Sequence, residues 1–210
     1  MEKVTDRIIE WGVASQPLGG QPKSGDMHFV KVLPQEALVV VIDGLGHGEE
    51  AAAAAAIAVA TLERWAGEPL MALVAQCHQA LRDTRGAVMG LASFHPLDST
   101  GTWLGVGNVE GFLWHPNVPP VSGVESLLVQ GGLVGDRLPA LRATLFPVTK
   151  GDVLIFATDG VHPDFAHHLA PAEDPRQMAE QILTRYNRGT DDALVLVARY
   201  VYEKEYIPAG

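Results

Sequence analysis

Hydrophobic and polar positions change their period several times along the chain. Arg7 to Gln16, Met27 to Leu33 and Ala37 to Ile42 are short runs rich in Val and Ile, separated by Gly and Pro, and predict three strands. Glu49 to Trp65 is of another kind: six consecutive alanines followed by Ile57, Val59 and Leu62 combine high helix propensity with a small-residue surface. That pattern predicts a long, largely buried helix. A second helix is predicted from Pro69 to Asp83, where Leu70, Leu73, Val74, Cys77, Ala80 and Leu81 recur at spacings of three and four and place Cys77 on the core face. Strand-like runs return from Gly86 to Trp114, punctuated by His95-Pro96 and Ser99-Thr100-Gly101, with a further strand at Ser126 to Gln130. Val153 to Ala157 reads as an apolar strand, Pro175 to Tyr186 as a helix, and Ala193 to Tyr202 as the last strand.

This order lacks the regular strand and helix alternation of a doubly wound parallel sheet. It predicts mainly antiparallel sheets with helices packed outside, an α/β sandwich. Pro116, Pro119, Pro120, Ser122 and Gly123 mark one central loop, and no repeat or low-complexity linker divides the chain, so residues 1–210 are expected to form a single domain. Hydrophobic residues make up 47% of the 210, enough for a substantial core. A net charge of -10 disfavours nucleic acid and anionic membranes as partners. With Cys77 alone there is neither an internal disulfide nor a thiolate set for zinc, which suits a reducing compartment. The N-terminal segment lacks a signal peptide's unbroken apolar run, and Ala51 to Ala60 covers only half of the ~20 residues needed to span a bilayer. A soluble, cytoplasmic protein is expected.

Candidate chemistry lies in a recurring position, an Asp where an apolar strand stops or starts. Val39 to Ile42 runs into Asp43-Gly44, Leu154 to Thr158 into Asp159-Gly160, Ser24-Gly25-Asp26 opens a strand, and Asp191-Asp192 precedes the last one. Any single Asp-Gly here is also an ordinary turn dipeptide. If these ends meet in one cleft, each carboxylate pair repels by about 4 kcal/mol at an effective dielectric near 20, and cations turn that cost into binding energy. Hard oxygen ligands select magnesium, manganese or calcium over zinc or copper. Gly44 allows a close backbone approach, so its carbonyl can join a coordination shell. A two-metal hydrolytic centre needs one carboxylate between ions roughly 4 Å apart, and Asp43 is the bridging candidate. The rival reading of Asp43 to Gly48 is a nucleotide phosphate cradle. Its glycine spacing is wrong for a dinucleotide fingerprint, no Gly-Lys-Ser/Thr follows, and Asp43 stands where phosphate would approach.

Four stretches occur in one order: Ser24-Gly25-Asp26, VVVIDGLGHG ending at Gly48, FATDGV from Phe156 to Val161, and GTDDALVLVARY ending at Tyr200. Together they resemble the PP2C-type metal-dependent serine/threonine phosphatases of the SpoIIE-like branch, within it the compact RsbX-type stressosome phosphatases, which TRGAVMGLASF from Thr84 to Phe94 also resembles. The resemblance implies an α+β fold, a four-layer α-β-β-α sandwich of two mainly antiparallel sheets flanked by helices, with two Mn2+ or Mg2+ ions at one edge. It implies that Asp43 bridges both ions, that the Gly44 carbonyl serves one, that Asp159 and Asp191 serve the other, and that Asp26 acts on the first directly or through water. The residues alone leave Asp191 and Asp192 equivalent; the family pattern favours Asp191. The chain departs from that pattern with Ala193-Leu194 after the acidic pair, with His162-Pro163 after the third motif, and with only Lys23 near the first motif.

The implied activity is hydrolysis of phosphoserine or phosphothreonine by metal-activated water, without a phosphoenzyme. The implied substrates are phosphorylated STAS-domain proteins, RsbR/RsbS-like, of a bacterial stress-signalling complex, met by a monomer. The alternative is a non-catalytic binding module that keeps the phosphatase fold. His47 is a candidate to protonate the leaving serine oxygen, or simply lines its turn. His162 follows Asp159 closely in a loop, His167-His168 are expected at the surface, and Arg85 either contacts a phosphoprotein or ends a helix. Trp11, Trp65, Trp103 and Trp114 are expected in the core.

Overall fold

The computed structural model describes residues 7–117, 123–170 and 174–203; Pro119, Pro120 and Ser122 of the anticipated loop lie outside them. Eleven strands are seen among these residues: β1 Ile9–Gln16, β2 Asp26–Leu33, β3 Glu36–Gly44, β4 Ala87–His95, β5 Thr100–Val106, β6 Glu110–Trp114, β7 Val124–Leu127, β8 Val129–Gln130, β9 Thr144–Pro147, β10 Val153–Ala157 and β11 Ala193–Tyr200. Three α-helices, α1 Glu49–Trp65, α2 Leu70–Ala80 and α3 Pro175–Tyr186, and a 3-10 helix Pro163–His168 complete the described elements. One sheet has the order β1-β11-β10-β6-β7; the other runs β2-β3-β4-β5-β8, with β9 also paired to β5. All pairings are antiparallel except the short β5 and β8 contact.

Strand β10 and the runs Ala37–Ile42 of β3 and Ala193–Ala198 of β11 are apolar because they are covered on both faces. In β3, Val39 and Val41 face the other sheet, whereas Leu38, Val40 and Ile42 face α1 and α2. In β11, Leu194, Leu196, Ala198 and Tyr200 point inward and Ala193, Val195 and Val197 lie under α3. Three apolar clusters therefore separate four layers, α1/α2, sheet, sheet and α3, as the α+β sandwich reading implied. Cys77 is fully buried between α2 and its sheet.

Several local expectations change. Ser126 to Gln130 is not one strand: β7 joins one sheet and β8 the other, with Leu128 81% exposed at the step between them. β9 and the 3-10 helix carry no periodic signal because four or six residues are too few to show one. Helix α2 starts after Pro69, which supplies its cap position, and ends at Ala80. Trp103 is buried as expected, but Trp11 and Trp65 are exposed by 44% and 36%: Trp11 leans on His28 across the sheet edges, and Arg64 covers Trp65.

Candidate metal centre

The acidic motifs converge where one end of both sheets meets. Asp26 opens β2 directly opposite Asp43 at the end of β3, so their side chains share one face. From the other sheet, Thr158 follows β10, donates its hydroxyl to Asp26 Oδ2 at 2.7 Å, and accepts the Leu194 N–H at 2.9 Å. One hydroxyl thus ties the two sheets together beside the carboxylates. Asp159 comes next, with its Oδ2 accepting from Asn108 Nδ2 at 2.8 Å. Asp191 precedes β11, half-buried, and accepts the Asp192 N–H at 2.8 Å through Oδ1.

These groups lie in one electrostatic field. Burial pushes Asp43 up to about 8, helped by the charges of Asp26, Asp159, Asp191 and Asp192. Burial likewise lifts Asp26 to about 7; the Thr158 hydrogen bond opposes the rise, while Asp192, Asp159 and Asp191 add to it. Asp159 is raised by burial and by Asp191, and drawn back by Arg188 and Asn108. A set of hard oxygens gathered against their mutual repulsion fits divalent cations. Among the described residues no three His, Cys, Asp or Glu side chains are drawn into a ready-made cage; the carboxylates share a field rather than a closed shell.

The glycine-rich turn sets the position of Asp43. A side chain at Gly44 would run into the carbonyl oxygen of Ala51, so α1 packs against bare backbone. Gly44 N–H donates to the Gly25 carbonyl and Leu45 N–H to that of Gly86, both at 3.1 Å, which fixes the turn between the first motif and the start of β4. Gly46 and Gly48 take φ of 86° and 79°, a region that favours glycine. His47 stands exposed between them, four residues after Asp43 in the same turn.

Asp192 separates from Asp191 on geometry. It is 3% exposed, and its two oxygens accept the Leu18 and Gly25 N–H groups, both at 2.7 Å. Asp192 is therefore a brace that locks the first motif onto the last. Lys23 reaches Glu49 at 3.4 Å at the rim, and Arg85 pairs with Glu50 while lying against Gly46. His162, His167 and His168 are exposed. Thr158 and Asn108 were not singled out from the sequence. Thr158 lies inside the FATDGV motif and was legible as its only hydroxyl; Asn108, beside Gly107, reads as an ordinary turn residue and gave no signal.

With this geometry in place, likeness to known proteins is informative. The family model described as Stage II sporulation protein E (SpoIIE) matches residues 34–201. The phosphoserine phosphatase RsbX of Bacillus subtilis (strain 168) is 27% identical over 179 residues, 85% of this chain and 87% of that protein. Among solved structures, a chain of the bacterial stressosome, described as a modular system adapted to control secondary messenger signaling, superposes with a TM-score of 0.82 at 28% identity, covering 92% of this chain and all of that one. RsbX in complex with magnesium superposes with a TM-score of 0.80 at 25% identity, over 91% and 95% of the two chains. The PP2C phosphatase domain of SpoIIE from Bacillus subtilis, 20% identical, shares the fold with a TM-score of 0.79 over 94% of this chain and 64% of that one. Motif order, layer architecture and the match across residues 34–201 together make this chain a member of the SpoIIE family of PP2C-type phosphatases.

Proposed function

We propose that the chain is a cytoplasmic, single-domain, monomeric protein phosphatase that depends on Mn2+ or Mg2+ and hydrolyses phosphoserine or phosphothreonine on STAS-domain stressosome proteins. The observation that carries this reading is the convergence of Asp26 and Asp43 from one sheet with Asp159 and Asp191 from the other. The similarity to RsbX, crystallised with magnesium, and to a stressosome chain supports the metal and the substrate class. No described helix is long and apolar enough to cross a membrane.

In this reading Asp26, Asp43 and the Gly44 carbonyl from one sheet, with Asp159 and Asp191 from the other, would hold the divalent ions, with Asp43 as the central ligand. Divalent ions held there would supply the Lewis-acid charge that activates water and offsets the charge of the phosphoryl oxygens. The protein's own groups hold the frame: Thr158 orients Asp26, Asn108 holds one oxygen of Asp159, and Asp192 fixes the loop carrying Gly25. His47, exposed in the same turn as Asp43, is assigned to proton delivery to the leaving serine oxygen.

The test is hydrolysis of p-nitrophenyl phosphate and of a phosphorylated STAS-domain protein with Mn2+. Asp43→Asn and Asp159→Asn are each expected to lower kcat by at least about a hundredfold while the fold is retained. Rates equal to the unsubstituted protein would overturn the metal reading, and partner binding without turnover in the unsubstituted protein would establish the non-catalytic module.

A further inference from the structure

Although the chain is acidic overall, four arginines lie on two joined segments, one of which reaches the glycine-rich turn through Arg85. Arg82 and Arg85 lie on the turn after α2, and Arg137 and Arg142 on the loop between β8 and β9; all four are exposed. Arg85 is engaged by Glu50, but among the described residues no ion pair takes up the guanidinium groups of Arg82, Arg137 or Arg142. Only Asp83 and Asp136 offset them within the two segments.

The two segments form one surface. Ala87 and Val134 exchange backbone hydrogen bonds, both at 2.9 Å, and the Gly86 Cα lies 3.1 Å from where a Cβ on Gly135 would stand. The loop is held in shape by Leu133 N–H donating to the Arg137 carbonyl at 2.8 Å and Gly135 N–H donating to His78 Nδ1 at 3.0 Å. Leu138 and Leu141 anchor it on the apolar cluster beneath. A surface cleft of about 560 Å³ opens between Gly131 and Pro139, with Arg137 on its wall. The same surface adjoins the metal-side turn, because Leu45 N–H donates to the Gly86 carbonyl and the Arg85 guanidinium lies against Gly46.

We propose that the surface formed by residues 82–86 and 131–142 docks the protein substrate and selects phosphoproteins whose phosphoserine is flanked by Asp and Glu. The inference rests on the phosphatase reading above and extends it to substrate choice. At physiological salt the Debye length is about 8 Å, so a partner in contact responds to these guanidiniums rather than to the distant net charge. Arginine forks pair with carboxylates in two parallel hydrogen bonds, and a preformed loop loses little freedom on binding.

The test uses three probes with the Mn2+-loaded enzyme: p-nitrophenyl phosphate, a phosphoserine peptide flanked by Asp and Glu, and the same peptide flanked by Lys. The unsubstituted enzyme is expected to favour the acidic peptide by roughly tenfold in kcat/KM, mostly through KM, with the preference shrinking as salt is raised. The triple variant Arg82→Glu, Arg137→Glu, Arg142→Glu is expected to lose that preference or reverse it, with the p-nitrophenyl phosphate rate unchanged. A triple Arg→Gln variant, free of new charge, is expected to abolish the preference without reversing it, and stands in should the reversal variant not fold. Equal kcat/KM on both peptides, or a preference that survives in the variants, overturns the docking surface while leaving the phosphatase intact. An unsubstituted enzyme inert on all three probes overturns the phosphatase reading, and the docking surface with it.

Discussion

At position 158 a hydroxyl does what a methyl group cannot. It donates to Asp26 Oδ2 and accepts from Leu194 N–H inside a buried layer. Thr158→Val keeps the shape and leaves both partners unsatisfied, so unfolding in urea is expected to show a loss of about 1–3 kcal/mol, which Thr158→Ser largely recovers. The two neighbouring aspartates divide in the same way. Asp192→Asn replaces an oxygen that accepts a backbone N–H by a second donor and is expected to lower stability, again by about 1–3 kcal/mol. Asp191→Asn, by contrast, is expected to leave stability nearly unchanged and to weaken Mn2+ binding measured by calorimetry. The four proposed ligand carboxylates were legible because each interrupts an apolar strand. Thr158 was legible only as the hydroxyl of its motif and Asn108 not at all: their importance lies in a partner 132 and 51 residues away, and nothing local records such distances.

Among the elements, the β3 to α1 junction is the most constrained. Because a Cβ on Gly44 would meet main chain rather than a movable side chain, Gly44→Ala must push α1 off β3 and carry Asp43 with it. A drop of about 1–3 kcal/mol in chemical denaturation is expected, with activity falling further than stability. The long elements were legible from their period: α1 spans the expected Glu49–Trp65, and α3 the expected Pro175–Tyr186. Residues 126–130 were not, since a single apolar run gives no sign that exposed Leu128 carries the chain from one sheet to the other. Nor did aromatic composition separate the buried Trp103, roofed by Phe156, from the edge residue Trp11.

For the molecule as a whole, the carboxylate cluster sets how stability follows pH. In the unfolded chain these aspartates titrate near 4, whereas Asp26 and Asp43 do so at about 7 and about 8 in the ion-free fold. Between those values the native state binds more protons than the unfolded one, so their contribution is complete below pH about 4 and lost as pH rises through 7 to 8. With EDTA present, Tm is therefore expected to fall from pH 5 to pH 8. With saturating Mn2+ the decline is expected to flatten or reverse, because cations need the deprotonated carboxylates. Layer composition was legible at this scale, since runs apolar on both faces require cover on both sides. Strand order was not, because the pairing partners of an apolar strand are set by the whole assembly.

The order β1-β11-β10 has a consequence for biosynthesis. Among the described strands β1 pairs with β11 alone, so Ile9–Gln16 must wait until Ala193–Tyr200 has been made. At 5–20 residues per second that delay is roughly ten to forty seconds, during which the earlier-made strand stays unpaired and open to chaperones or to wrong partners.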